Sequence, residues 1–140
     1  TKSIVKNKSI ILIDDSLVRG TTCHKIVKML YEAGAKEVHV RIACPEIRFP
    51  DFYGVDMPTK KELLAYKKNN DEICEYIQAK TLKFLSLEGL YLGLGKGIRD
   101  KIYPQFSDHY FTGDYPIKPP NNQDEYKVTQ LSLLSAKSIS

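Results

Sequence analysis

The sequence has no tryptophan, only three cysteines in 140 residues, and no long apolar run. Each shortage excludes something. Cys23, Cys44 and Cys74 are odd in number and far apart, so they make neither a disulfide framework nor a CxxC metal pair. They read as buried structural thiols in a reducing compartment, the cytoplasm. A membrane-spanning helix needs about 20 apolar residues in sequence, and none is present. The opening Thr1-Lys2-Ser3-Ile4-Val5-Lys6 lacks the apolar core of a signal peptide. Excess charge is scarce too. The net charge is +4, and no basic run is interleaved with aromatics, which suits a small anionic ligand and not nucleic acid. His24, His39 and His109 have no metal-ligand spacing and read as structural. What is present fits one globular domain able to bury a core.

Residues 9–13, Ser9-Ile10-Ile11-Leu12-Ile13, form a short β-branched run cut off by two aspartates. This predicts a strand buried on both faces, as in a parallel sheet. A polar loop with Gly20 follows. Cys23, Ile26, Val27, Leu30 and Ala33 then recur at helical spacing, with Thr21 or Thr22 as the N-cap and Gly34 just past the end. Val38, Val40 and Ile42 alternate with His39 and Arg41 as a second strand, ended by Pro45. Strand, loop, helix and strand make a βαβ unit. The fold class is therefore α/β, a parallel sheet flanked by helices with a right-handed crossover. Residues 45–58 read as a long connection, Glu62 to Tyr66 and Asp71 to Ile77 as short helices, Thr81 to Leu85 as a third strand, and 86–94 as a helix. Beyond Tyr103 the chain reads as irregular. Residues 1–117 form the expected domain, and 118–140 a polar, mobile tail whose Leu131, Leu133 and Leu134 offer a docking patch.

In a parallel α/β sheet, ligands bind beyond the carboxyl ends of the strands. Asp14 and Asp15 sit there. Adjacent carboxylates repel unless a cation or hydroxyl donors offset them, and their acceptors suit the vicinal hydroxyls of a ribose or Mg²⁺. Ser16, Thr21 and Thr22 add hydroxyls, Gly20 permits close backbone approach, and a helix N-terminus favours an anion. One segment thus offers acceptors for a sugar and donors for a phosphate, which describes a ribose 5-phosphate site. Glu88, in Ser86-Leu87-Glu88-Gly89, reads as helix N-terminal electrostatics. Leu94-Gly95-Lys96-Gly97 lacks the pattern of a phosphate loop.

The apolar strand, Asp-Asp and glycine are similar to the phosphoribosyl-diphosphate (PRPP) motif of type I phosphoribosyltransferases. Asp14-Asp15-Ser16-Leu17-Val18-Arg19-Gly20-Thr21-Thr22 resembles the PRPP loop of the amidophosphoribosyltransferase family in particular. Ala33 to Val40, Phe52 to Asp56, Leu82 to Leu90 and Phe111 to Pro116 match that family in the same order, so the resemblance runs from about Ile4 to Pro116. It implies a partial type I phosphoribosyltransferase fold and a PRPP site of Asp14, Asp15, Ser16, Arg19, Gly20, Thr21 and Thr22. Asp14 and Asp15 would hold Mg²⁺ and the ribose hydroxyls, and the loop from Ser16 to Thr22 the 5-phosphate. It further implies a transferase of purine biosynthesis, in which ammonia from glutamine displaces pyrophosphate at ribose C1. Purine nucleotides are implied as inhibitors.

The chain also departs from the family. It begins at Thr1, where the family's glutaminase domain would begin with a catalytic cysteine, and the early transferase strands have no counterpart. Asp51, and the stretch Gln105 to Tyr110, hold no cysteine where some members ligate an iron–sulfur cluster, so no cluster is expected. A core strand with one neighbour missing leaves an open apolar edge, which predicts self-association or a complementary chain, and no turnover by the chain alone. A transferase acting on a purine base or orotate is a further option, although those usually show Thr-Thr-Gly in the loop where this chain has Val18-Arg19-Gly20. Two other readings exist. One is a non-catalytic PRPP- or nucleotide-binding protein of the same superfamily. The other is a response-regulator receiver domain with Asp56-Met57-Pro58 as phosphoacceptor, although Gly20-Thr21-Thr22 would then have no task.

Overall fold

In a computed structural model, the structure describes residues 2–53 and 60–117. Asp56-Met57-Pro58 and the 118–140 segment lie outside the described residues.

Three parallel strands make the sheet: β1 (Ser9–Asp14), β2 (Glu37–Ile42) and β3 (Thr81–Phe84), in the order β1-β2-β3. Leu12 pairs with Val40, which in turn pairs with Leu82, so these three share one face. Helix α2 (Thr21–Glu32) buries Cys23 and Val27 against that face. Helix α4 (Asn70–Tyr76) adds Ile73, and the following Ile77 closes the cluster with Val38, Ile42 and Leu82. Short helices α1 (Lys2–Val5), α3 (Leu64–Lys67), α5 (Leu87–Gly93) and α6 (His109–Thr112) complete the described elements.

The opposite face corrects one expectation. Ile11 and Ile13 of β1 are 65% and 71% exposed, so β1 is not buried on both faces. Apolar strand composition predicts two covered faces, but cover is supplied by neighbours, and among the described residues none packs there. On that face of β2, His39 shares a hydrogen bond with Thr81 Oγ1 at 2.9 Å, and Arg41 donates to the same hydroxyl at 3.0 Å. His39 is thus a cross-strand partner. Among the described residues β1 is an edge strand, hydrogen-bonded to β2 alone.

Helix boundaries follow local chemistry. Asn69 caps α4 in a full capping box: its side chain accepts from Glu72 N at 2.9 Å, and Glu72 Oε2 accepts from Asn69 N at 2.8 Å. Asn69→Ala is expected to cost about 1 kcal/mol, read as a lower urea midpoint. Ser86 caps α5 with its side chain, accepting from Gly89 N at 3.0 Å. Glu88 lies in that first turn, as expected for helix electrostatics.

The segment beyond Tyr103, read as irregular, holds α6 and two buried polar groups. Asp108 is 4% exposed and accepts from Tyr91 Oη at 2.8 Å and from Arg99 Nε and Nη2 at 2.5 and 3.0 Å. Burial pushes its carboxyl up, but Arg99, Tyr91 and Thr112 outweigh that and hold it below the ordinary range. A lowered folded-state pKa stabilises fully above the unfolded value of about 3.9 and is lost as pH falls through the folded value. An acid titration of Tm should therefore fall more steeply below about pH 4 in the parent than in Asp108→Asn.

Among the described residues no helix is long and apolar enough to cross a membrane.

Candidate functional site

The loop between β1 and α2 is built from both ends. β1 delivers Asp14 to the carboxyl end of the sheet, where Ala43 N donates to its carbonyl at 2.9 Å. Asp14 Oδ1 accepts from Asp15 N at 3.0 Å, and Asp15 Oδ1 accepts from Ser16 Oγ at 3.3 Å. No cation lies within ion-pair distance of either carboxylate among the described residues. The loop is pinned by Leu17, 2% exposed in the core. It ends at Gly20, whose φ of +74° lies in the left-handed region that glycine adopts freely.

Gly20, and not Thr21 or Thr22, is the N-cap of α2, and no side chain caps that helix. Glycine and threonine are comparable at an N-cap, so both readings were open from composition. The first helical amides, on Thr21, Thr22 and Cys23, have no acceptor within the helix, and the exposed Thr21 and Thr22 stand beside them. Asp14, Asp15, Ser16, Arg19, Gly20, Thr21 and Thr22 are therefore gathered in one turn, with carboxylates at its start and free N–H groups at its end.

The field of the carboxylates reaches nearby thiols. Cys23 is pushed up to about 11 by burial and by the charge of Asp14. Cys44 is raised by burial, opposed by a Leu17 backbone hydrogen bond, and raised again by Asp15. Both are held as thiols and are poor nucleophiles. Of the three, only Cys23 is fully buried.

Sequence reasoning missed the groups that brace the loop. Leu64 N donates to Val18 O at 2.9 Å, and Arg19 Nη2 pairs with Glu62 Oε1 at 3.1 Å. A Cβ added to Gly20 would meet Leu64 Cδ2 at 2.6 Å and Tyr76 Cε1 at 3.1 Å. An open cleft of about 480 Å³ also escaped notice. It lies off β2 and β3, lined by Pro45, Arg48, Asn70, Lys83, Ser86 and Phe111, and no residue of 14–22 lines it. His24 sits in the first turn of α2 with a buried, unpartnered Nδ1.

Asp51 and the 105–110 stretch are bonded to each other. His109 Nε2 pairs with Asp51 Oδ1 at 2.8 Å, and Ser107 Oγ lies 3.0 Å from His109 Nδ1. The Tyr110 hydroxyl is raised by burial, then by the charge and hydrogen bond of Asp51. This cluster ties the connection after β2 to α6. His109 is structural, as its lone position in the sequence suggests. Among the described residues, no group of three or more His, Cys, Asp or Glu is placed to hold a metal.

No family model matches the chain. Among curated proteins it is 48% identical over 136 residues to an amidophosphoribosyltransferase of Rhizobium etli, covering 96% of this chain and 27% of that protein. It is 48% identical over 127 residues to the amidophosphoribosyltransferase of Staphylococcus aureus, covering 91% of this chain and 26% of that protein. Its fold superposes on the glutamine PRPP amidotransferase of B. subtilis, complexed with ADP and GMP, with a TM-score of 0.78 at 44% identity, over 87% of this chain and 27% of that one. The chain belongs with the amidophosphoribosyltransferases.

It corresponds to a C-terminal part of their phosphoribosyltransferase domain, and it spans only 27% of the length of the R. etli relative. A second solved structure, that of the allosteric regulatory enzyme of purine biosynthesis, gives the same TM-score of 0.78 at 46% identity, over 88% of this chain and 26% of that one. The parallel sheet with its helices is the type I phosphoribosyltransferase arrangement seen in both structures. The receiver-domain reading is set aside, since a receiver domain would not share this fold at this level of identity.

Proposed function

We propose that this chain is the PRPP-binding portion of an amidophosphoribosyltransferase acting in the cytoplasm on the first step of de novo purine synthesis. The observation that carries the reading is the single turn from Asp14 to Thr22. It carries two carboxylates at its start, with no cation within ion-pair distance among the described residues, and the N-terminal amides of α2 at its end, with Gly20 as the N-cap. The carboxylates would accept from the ribose hydroxyls, and the amides, with Thr21 and Thr22, would hold the 5-phosphate.

Mg²⁺ fits this turn. Among the described residues each carboxylate uses one oxygen, on a neighbour within the loop, and Mg²⁺ commonly takes one or two carboxylates, completing its shell with water and ligand phosphates. Two carboxylates therefore suffice without a larger acidic cluster. When bound, Mg²⁺ neutralises charge on the pyrophosphate leaving group. The residues of this chain bind and orient the sugar, fixing C1 for attack. In the whole enzyme the attacking ammonia would come from glutamine, giving 5-phosphoribosylamine and pyrophosphate. By itself the chain is proposed to bind PRPP without turning it over.

The test is calorimetric titration of the chain with PRPP, with and without Mg²⁺. Mg²⁺-dependent binding is expected, weakened about tenfold or more in Asp14→Asn plus Asp15→Asn, because charge-assisted contacts are lost. A folded chain that binds no PRPP, or a double variant that binds as well as the parent, refutes the reading.

A further inference from the structure

Arg19 is the only basic side chain between Asp14 and Thr22, and the structure shows it already engaged. Its Nη2 lies 3.1 Å from Oε1 of Glu62, 43 positions downstream. The pair is not a chance meeting of long surface side chains. The segment carrying Glu62 is docked on the loop by contacts on both sides of Arg19. Leu64 N donates to the Val18 carbonyl at 2.9 Å, and Leu64 Cδ2 packs where a side chain on Gly20 would stand. Glu62 is thus held beside Arg19 by main-chain geometry.

The charge pattern gives this pairing a meaning. The turn carries the two negative charges of Asp14 and Asp15, and its one cation is matched by Glu62. A phosphate arriving at the amides of Thr21 and Thr22 finds no uncommitted positive side chain in the turn. Arg19 immediately precedes the N-cap of α2, so it stands at the rim of those amides. The side chains of Arg19 and Glu62 are 56% and 45% exposed, so water screens the pair and it is cheap to break. A guanidinium can bind a phosphate dianion through paired, charge-assisted hydrogen bonds, whereas Glu62 Oε1 meets Arg19 at Nη2.

We propose that Glu62 competes with the ligand for Arg19, so that phosphate binding exchanges the carboxylate for a phosphate and Glu62 sets the affinity of the loop. This rests on the PRPP reading and adds to it a residue outside the loop motif. Glu62 is a positioning residue acting through Arg19.

The test is a double-mutant cycle, with Mg²⁺-dependent PRPP affinity measured by calorimetry on the parent chain, Glu62→Gln, Arg19→Gln and the double variant. Arg19→Gln is expected to weaken binding about tenfold, the weight of one charge-assisted contact. Glu62→Gln is expected to tighten it about threefold, the scale of an exposed ion pair. With Arg19→Gln already present, Glu62→Gln should change nothing. Weaker or unchanged binding by Glu62→Gln overturns the proposal, as does equal tightening in both backgrounds, which would mark a general effect of charge. If the parent binds and Arg19→Gln is silent, the exchange falls while the PRPP reading stands. If the folded parent does not bind, both fall. Circular-dichroism melts of the four proteins show that each is folded.

Discussion

Replacing Arg99 by methionine is expected to destabilise the chain by about 3 kcal/mol, the lower end of what breaking a buried ion pair costs. The guanidinium grips Asp108 through two nitrogens and reaches Asp114 Oδ2 at 2.7 Å. Those partners raise its own proton affinity, Asp108 foremost. Methionine keeps the stem and removes every donor. Asp108, 4% exposed, would be left charged in the interior with only the hydroxyls of Tyr91 and Thr112. Those two donors are the reason for placing the loss at the lower end of the range. Removing the charge as well, in Arg99→Met with Asp108→Leu, should recover part of the loss, because an apolar pair of similar volume carries no desolvation cost. Urea unfolding measures both. A single-variant loss below about 1 kcal/mol would mean the pair behaves as an exposed one.

Gly20→Val is expected to cost about as much, and to remove PRPP binding with it. Two independent penalties add. A φ of +74° strains any β-branched residue by about 1–2 kcal/mol. The new Cβ would also stand 2.6 Å from Leu64 Cδ2 and 3.1 Å from Tyr76 Cε1, overpacking of the kind that costs about 1–3 kcal/mol. Gly95→Val separates the two. Its φ is +70°, yet nothing lies within 4 Å of an added Cβ. It should show the backbone penalty alone and leave binding intact. If the two variants unfold at the same midpoint, the contact with Leu64 and Tyr76 contributes nothing.

The βαβ unit was legible because its signals are local. An apolar run ended by aspartates, a helical period over 23–33 and an alternation over 38–42 each lie within a dozen residues, and each element formed where its pattern stands. The residues of the segment from Asp14 to Thr22 could be singled out for the same reason, although its N-cap, Gly20, was not. What escaped depends on distance along the chain. The Arg19–Glu62 pair joins residues 43 apart and the Asp51–His109 pair residues 58 apart, so no window of sequence contains either. The exposure of Ile11 and Ile13 was hidden for a related reason, since an isoleucine does not record whether a neighbour arrives to cover it. Helix α6 is four residues long, shorter than two turns, and leaves no period to read.

The all-parallel sheet bears on how the chain acquires its structure. Ser9 meets Glu37 across 28 residues, and His39 meets Thr81 across 42. Among the described residues no hairpin is available to seed the sheet, so each of its strand pairings must first close a long loop, and such topologies fold slowly. During synthesis the first two strands can pair while the third is still being made. In that interval β2 shows the ribosome's surroundings a bare hydrogen-bonding edge that β3 later occupies. The pace at which residues 43–80 emerge and fold therefore sets how long a growing chain is open to mispairing with its neighbours.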